Sequence, residues 1–152
     1  MGLILRQRFF KPLGMRSFDV CDETGKRVFL AEQQLRFPRC WHILDAAERH
    51  VGTVQKRFRR IVLLTPNGER SDVARRRGLR RKFRFSVSGW RAECAAFADD
   101  FIVRTAQGET IAVAEGAPEK NSLRLETVRE NDVLPVLLFA VAVRKYKSGL
   151  RL

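Results

Sequence analysis

Val133-Leu134-Pro135-Val136-Leu137-Leu138-Phe139-Ala140-Val141-Ala142-Val143 is a run of eleven residues without one polar side chain. Asn131 or Asp132 can cap its start, and Pro135 falls in a first turn where its missing N–H costs little. Arg144, Lys145 and Lys147 sit at the negative end of the dipole, ahead of Gly149. These signals predict a helix over about 131–147. It is too short to cross a bilayer, which takes roughly 20 apolar residues. A helix apolar on every side has to be enclosed by protein. The other reading of such a run, a buried strand, is opposed by Pro135 and by its length.

The rest of the chain reads in steps of two. Phe83, Phe85 and Val87 alternate with Arg84, Ser86 and Ser88; Leu123 and Leu125 alternate with Arg124 and Glu126. Asp22-Glu23-Thr24-Gly25, Thr65-Pro66-Asn67-Gly68, Ser88-Gly89 and Ala106-Gln107-Gly108 carry turn chemistry between such runs. About twelve short strands are expected, near 3–9, 16–21, 27–33, 40–44, 50–56, 59–64, 70–75, 83–88, 91–96, 101–105, 110–115 and 122–128. Strands of six or seven residues at about 3.3 Å each are as long as a helix of about 15 residues at 1.5 Å each. The predicted fold is mainly β, a closed antiparallel barrel of about twelve strands around a central hydrophobic C-terminal helix. A barrel that wide is not filled by its own side chains, so the helix becomes the plug. No linker or low-complexity tract divides the 152 residues, and one domain over 1–152 is expected.

The order of Phe101 to Ala114, Ser122 to Val128 and the apolar helix, with Phe18-Asp19-Val20 followed by Asp22 and Gly25, resembles the LURP-one-related proteins. These belong with the Tubby C-terminal domain and the phospholipid scramblases. The resemblance implies a twelve-stranded barrel around a hydrophobic helix, and a generic affinity for anionic lipid, since Tubby domains bind phosphoinositides through basic surface residues. No basic motif aligns with the Tubby lipid site, no long acidic loop suggests a calcium site, and the cysteine cluster that takes lipid anchors is missing. Scrambling is therefore not implied, and fold likeness alone does not carry activity.

Charge segregates sharply. Lys56, Arg57, Arg59, Arg60, Arg70, Arg75, Arg76, Arg77, Arg80, Arg81, Lys82 and Arg84 face only Glu69 and Asp72 within 56–84. Residues 1–55 carry nine cations against six carboxylates, and residues 85–152 carry nine against nine. Such a band favours a polyanionic partner. Arg75, Arg76, Arg77, Arg80, Arg81 and Lys82 surround Gly78 and Leu79 in a predicted hairpin tip, with Arg84 beside it. This tip is the expected main contact for anionic phospholipid or phosphoinositide, and Lys56, Arg57, Arg59 and Arg60 form a second rim. The bland alternative is a solvated face in a chain with 23 Arg and 7 Lys.

Nucleic acid is the runner-up partner for the same surface, with Phe58, Phe83 and Phe85 as stacking candidates. Alternation assigns Phe83 and Phe85 to the core instead, and no zinc-finger spacing or RNA-binding signature is present. A protein-interaction scaffold is a third class. Catalysis is not expected: His42 alternates with Trp41 and Ile43 and should point outwards, and His50 sits near Asp45 and Glu48 by a turn. Asp99 and Asp100, as strand neighbours, would point to opposite faces. No P-loop, HExxH or GxSxG is found, and no cofactor or metal is implied. Cys21, Cys40 and Cys94 are odd in number and widely spaced, which predicts reduced, half-buried thiols. Arg6 and Arg8 interrupt the first ten residues, so a secretory signal is not expected there. The expected location is cytoplasmic, with a peripheral position at the inner membrane surface.

Overall fold

The structure is a computed structural model that describes residues 2–10, 15–34, 40–57, 60–65, 68–75, 82–86, 88–95, 100–116 and 122–146. For residues 7–10, 15, 16, 75 and 144–146 the description is of the backbone alone. Twelve strands follow one another: β1 Gly2–Phe10, β2 Met15–Cys21, β3 Arg27–Gln34, β4 Cys40–Asp45, β5 His50–Arg57 and β6 Arg60–Leu64 form the first half. The second half is β7 Arg70–Arg75, β8 Lys82–Phe85, β9 Arg91–Cys94, β10 Phe101–Arg104, β11 Thr110–Gly116 and β12 Ser122–Thr127. Each pairs antiparallel with its predecessor, and β1 also pairs with β12, so the sheet closes. The up-and-down barrel expected from the alternation is the one observed.

A single turn of 3-10 helix, Glu130–Asp132, redirects the chain into α1, Val133–Tyr146. Every residue from Val136 to Val143 is at most 2% exposed. The wall that encloses α1 supplies the inward half of each alternating strand: Leu3 and Leu5, Phe18 and Val20, Phe83 and Phe85, Leu123 and Leu125 are all buried. Phe139 is the centre of an aromatic cluster, its ring 5.7 Å from Phe83, 5.3 Å from Phe85 and 5.0 Å from Phe101. This confirms Phe83 and Phe85 as core residues rather than a stacking platform. Pro135 is the third helical residue, within the turn whose N–H groups have no intrahelical partner, so its ring breaks no hydrogen bond.

The β2–β3, β6–β7, β8–β9 and β10–β11 connections share the barrel end through which α1 enters. Gly25, Gly68, Gly89 and Gly108 in them have φ between 71° and 93°, a backbone that a side chain would strain. The tight turn closed by Gly89 N–H on the Phe85 carbonyl, at 3.1 Å, ends β8 at Phe85, three residues before the expected end. Val87 lies outside the described residues. The three cysteines are reduced thiols, but buried rather than half-buried. No helix of the described residues is long and apolar enough to cross a membrane.

Candidate anion-binding face

Strand pairing places charges side by side that are far apart in the chain. On β5 to β10 the outward positions include Arg57, Arg60, Arg70, Asp72, Ala74, Lys82, Arg84, Arg91, Glu93 and Arg104, with uncharged side chains such as Gln55, Val62 and Ile102 between them. Arg57 lies directly opposite Arg60, Arg60 opposite Ala74, Ala74 opposite Arg84, Arg84 opposite Arg91, and Arg91 opposite Arg104. One row perpendicular to the strands thus holds five arginines and an alanine. Directly opposed side chains stand about 4.5–5.5 Å apart at Cβ, and like charges so placed repel.

Only part of this repulsion is relieved within the protein. Asp72 takes a two-pronged bond from Arg70, Nε to Oδ1 at 2.7 Å and Nη2 to Oδ2 at 3.1 Å, and a third from Arg60 Nη1 at 3.0 Å. The Arg70 hydrogen bonds, with Arg60 second, hold the Asp72 carboxyl below the ordinary aspartate range. Lys82 Nζ approaches Glu93 Oε1 at 3.9 Å, and Arg57 Nη2 donates to Gln55 Oε1 at 3.4 Å. Among the described residues, no carboxylate forms an ion pair with Arg84, Arg91 or Arg104. Their guanidinium groups therefore keep donors available to an external oxyanion.

The residues singled out from the sequence fall into three groups. Arg57, Arg60, Lys82 and Arg84 lie on the outer face, as above. Lys56 is exposed but opposite the inward-facing Ile61, and the backbone of Arg75 is opposite the buried Phe83, so both occupy inward register at strand ends. Arg59, Arg76, Arg77, Arg80 and Arg81 lie outside the described residues. Arg91 and Arg104 carry no charge signal in the sequence because residues 85–152 are neutral in sum; only the register of β8, β9 and β10 joins them to the band.

The other described residues singled out from the sequence lie away from this face. Asp100 Oδ1 accepts the Gly116 N–H at 2.9 Å, tying the start of β10 to the end of β11, and Asp99 lies outside the described residues. His42 faces outward between the buried Trp41 and Ile43, as expected, and is half-buried there; its ring is 4.6 Å from that of His50, whose Nε2 is 2.7 Å from Thr53 Oγ1. A recess of about 510 Å³ where α1 enters is lined largely by apolar side chains such as Phe85, Trp90 and Leu134, so it does not account for the cations.

Residues 1–142 match the family described as LURP-one-related. An X-ray structure of a protein from Arabidopsis thaliana is similar over 95% of this chain and 92% of that one, with a TM-score of 0.65 at 12% identity. At that identity the likeness speaks for the fold alone. No curated protein matches the chain. With a family match over nearly its whole length and the twelve-stranded barrel closed on a C-terminal helix, the chain belongs to the LURP-one-related family.

Proposed function

We propose that this protein is a non-catalytic module that associates reversibly with anionic phospholipid or phosphoinositide headgroups through the outer face of β5 to β10. The observation that carries this reading is the arginine row: Arg57, Arg60, Arg84, Arg91 and Arg104 share one line on the barrel, with Asp72 and Glu93 the carboxylates on these strands' outer face among the described residues. A fold does not accumulate directly opposed like charges for its own stability. An anionic surface turns the same repulsion into attraction, each cation near it contributing about 1 kcal/mol. The nonpolar interior is fully used in enclosing α1, so association through this face leaves the barrel intact.

Co-sedimentation with vesicles tests the reading. Wild-type protein should pellet with phosphatidylcholine vesicles containing phosphatidylserine or phosphatidylinositol 4,5-bisphosphate and not with phosphatidylcholine alone. A folded Arg57→Gln, Arg60→Gln, Arg84→Gln, Arg91→Gln variant should bind weaker by on the order of a hundredfold or more. Equal binding by that variant rejects the assignment. Single-stranded RNA in the same titration supplies the rival outcome: preference for RNA at matched ionic strength would make the face a nucleic-acid surface, and affinity for neither polyanion would leave a protein-interaction scaffold.

A further inference from the structure

The cationic face includes a concave place. A depression of about 190 Å³ lies where β8, β9 and β10 meet the β10–β11 turn, and Lys82, Arg91, Glu93, Arg104, Thr105 and Gly108 line it. At roughly 30 Å³ per water in the liquid, this is the room of about six waters, enough for a tetrahedral oxyanion and the first atoms of its carrier. It is smaller than the pockets of about 300–1,000 Å³ that enclose whole drug-sized molecules.

We propose that Lys82, Arg91 and Arg104 form a phosphomonoester-binding site. The proposal deepens the anionic-lipid reading and rests on the same cationic face. Arg91 and Arg104 are directly opposed across β9 and β10, so their guanidinium groups start close together and neither has a carboxylate partner among the described residues. Each presents a planar fork that matches two phosphate oxygens. Lys82 is held only loosely by Glu93, at 3.9 Å and with both side chains well exposed, so its ammonium can turn to a ligand without losing a strong bond. Thr105 Oγ1 accepts the Glu109 N–H at 3.1 Å, which leaves its hydroxyl proton for a ligand oxygen.

Charge selects the class of ligand. Three cations and one carboxylate leave a surplus of two, which matches a phosphomonoester carrying about −1.5 to −2 at pH 7. A phosphodiester or a carboxylate, with one negative charge, leaves a cation uncompensated. Glu93 repels the ligand and moderates the affinity. The same monoester chemistry is found on a phosphoinositide headgroup and on a free inositol phosphate, and the two sources are separated by experiment.

Calorimetric titration of the whole chain with inositol 1,4,5-trisphosphate, alongside sedimentation with phosphatidylinositol 4,5-bisphosphate vesicles, tests the site. Saturable binding by wild type, weakened about tenfold or more in Arg91→Gln, Arg104→Gln and in Lys82→Gln, is the expected result. Glu93→Gln should bind tighter, an outcome that a merely structural role for these residues would not produce. Arg124→Gln, which removes an equal charge from β12, should match wild type. Binding of the free trisphosphate without vesicle binding would uphold the site and defeat the lipid reading. Vesicle binding that is unchanged in the Arg91, Arg104 double variant, with no saturable trisphosphate binding, would overturn the site and leave the lipid reading standing. Circular dichroism of each variant confirms that the barrel is folded before either result is read.

Discussion

Gly52 shows how closely the wall of the barrel approaches its plug. It faces inward on β5, and a Cβ built there would lie 2.9 Å from Leu138 Cδ2 and 3.3 Å from Leu138 Cδ1. Leu138 is itself only 2% exposed, and its side chain or the helix that carries it must shift before a methyl group fits. Gly52→Ala should cost about 1–3 kcal/mol in urea unfolding, the usual range for overpacking a filled core. An unchanged midpoint would mean that the helix shifts to make room. At Asp72 the cause is electrostatic. Its carboxyl is depressed below 3.8 by Arg70 and then Arg60, so the folded state binds its proton less readily than the unfolded chain does. That contribution is complete above the unfolded value and disappears as pH falls through the depressed one. Wild-type stability should therefore fall more steeply below about pH 4 than that of Asp72→Asn, and coincident acid profiles would refute the coupling. Neither role was visible in the chain: Gly52 carries no turn signature, and Asp72 looked like one of two stray acids in a basic band until β6 and β7 paired.

At the scale of the element, what could be foreseen depended on local pattern. Most of the twelve strands were legible because they alternate on their own and because glycine turns separate many of them; β6, apolar from Ile61 to Leu64, was legible from its flanking turn and its β-branched residues. The helix was legible because an unbroken apolar run beginning near a proline has few alternatives. The end of β8 was not, because Phe85-Ser86-Val87 continues the alternation while the turn closed by Gly89 cuts it short. The arginine row was illegible for a deeper reason: register between β8, β9 and β10 is a non-local property, and no window of sequence contains Arg84, Arg91 and Arg104 as neighbours. Within the core, α1 is the element on which the wall depends. Phe139 meets three phenylalanines from β8 and β10, all buried. Phe139→Ala should lose about 3–5 kcal/mol, a large share of the roughly 5–15 kcal/mol that holds an ordinary domain together. Phe139→Leu, which keeps most of the volume, should lose clearly less. Thermal melts that do not distinguish the two would mean that the cavity collapses without cost.

For the molecule as a whole, core and charge are arranged independently. The barrel closes around α1 with nonpolar contacts that are indifferent to ionic strength, while the described outer face of β5 to β10 carries seven cations, Arg57, Arg60, Arg70, Lys82, Arg84, Arg91 and Arg104, against Asp72 and Glu93. Two consequences with opposite signs follow from that one distribution. In the free protein the cations repel one another across several strands, and salt shortens the range of that repulsion from about 30 Å at 0.01 M to about 10 Å at 0.1 M. Raising sodium chloride from about 20 to about 200 mM should therefore raise the melting temperature. The same screening weakens attraction between the face and an anionic vesicle, so the dissociation constant should rise over that range. Both trends should diminish together in the Arg57, Arg60, Arg84, Arg91 variant, because each arises from the same charges. If that variant flattened the melting curve's response to salt but left the salt dependence of vesicle binding intact, the repelling charges and the binding charges would be different residues. The lipid contact would then have to be sought elsewhere on the barrel.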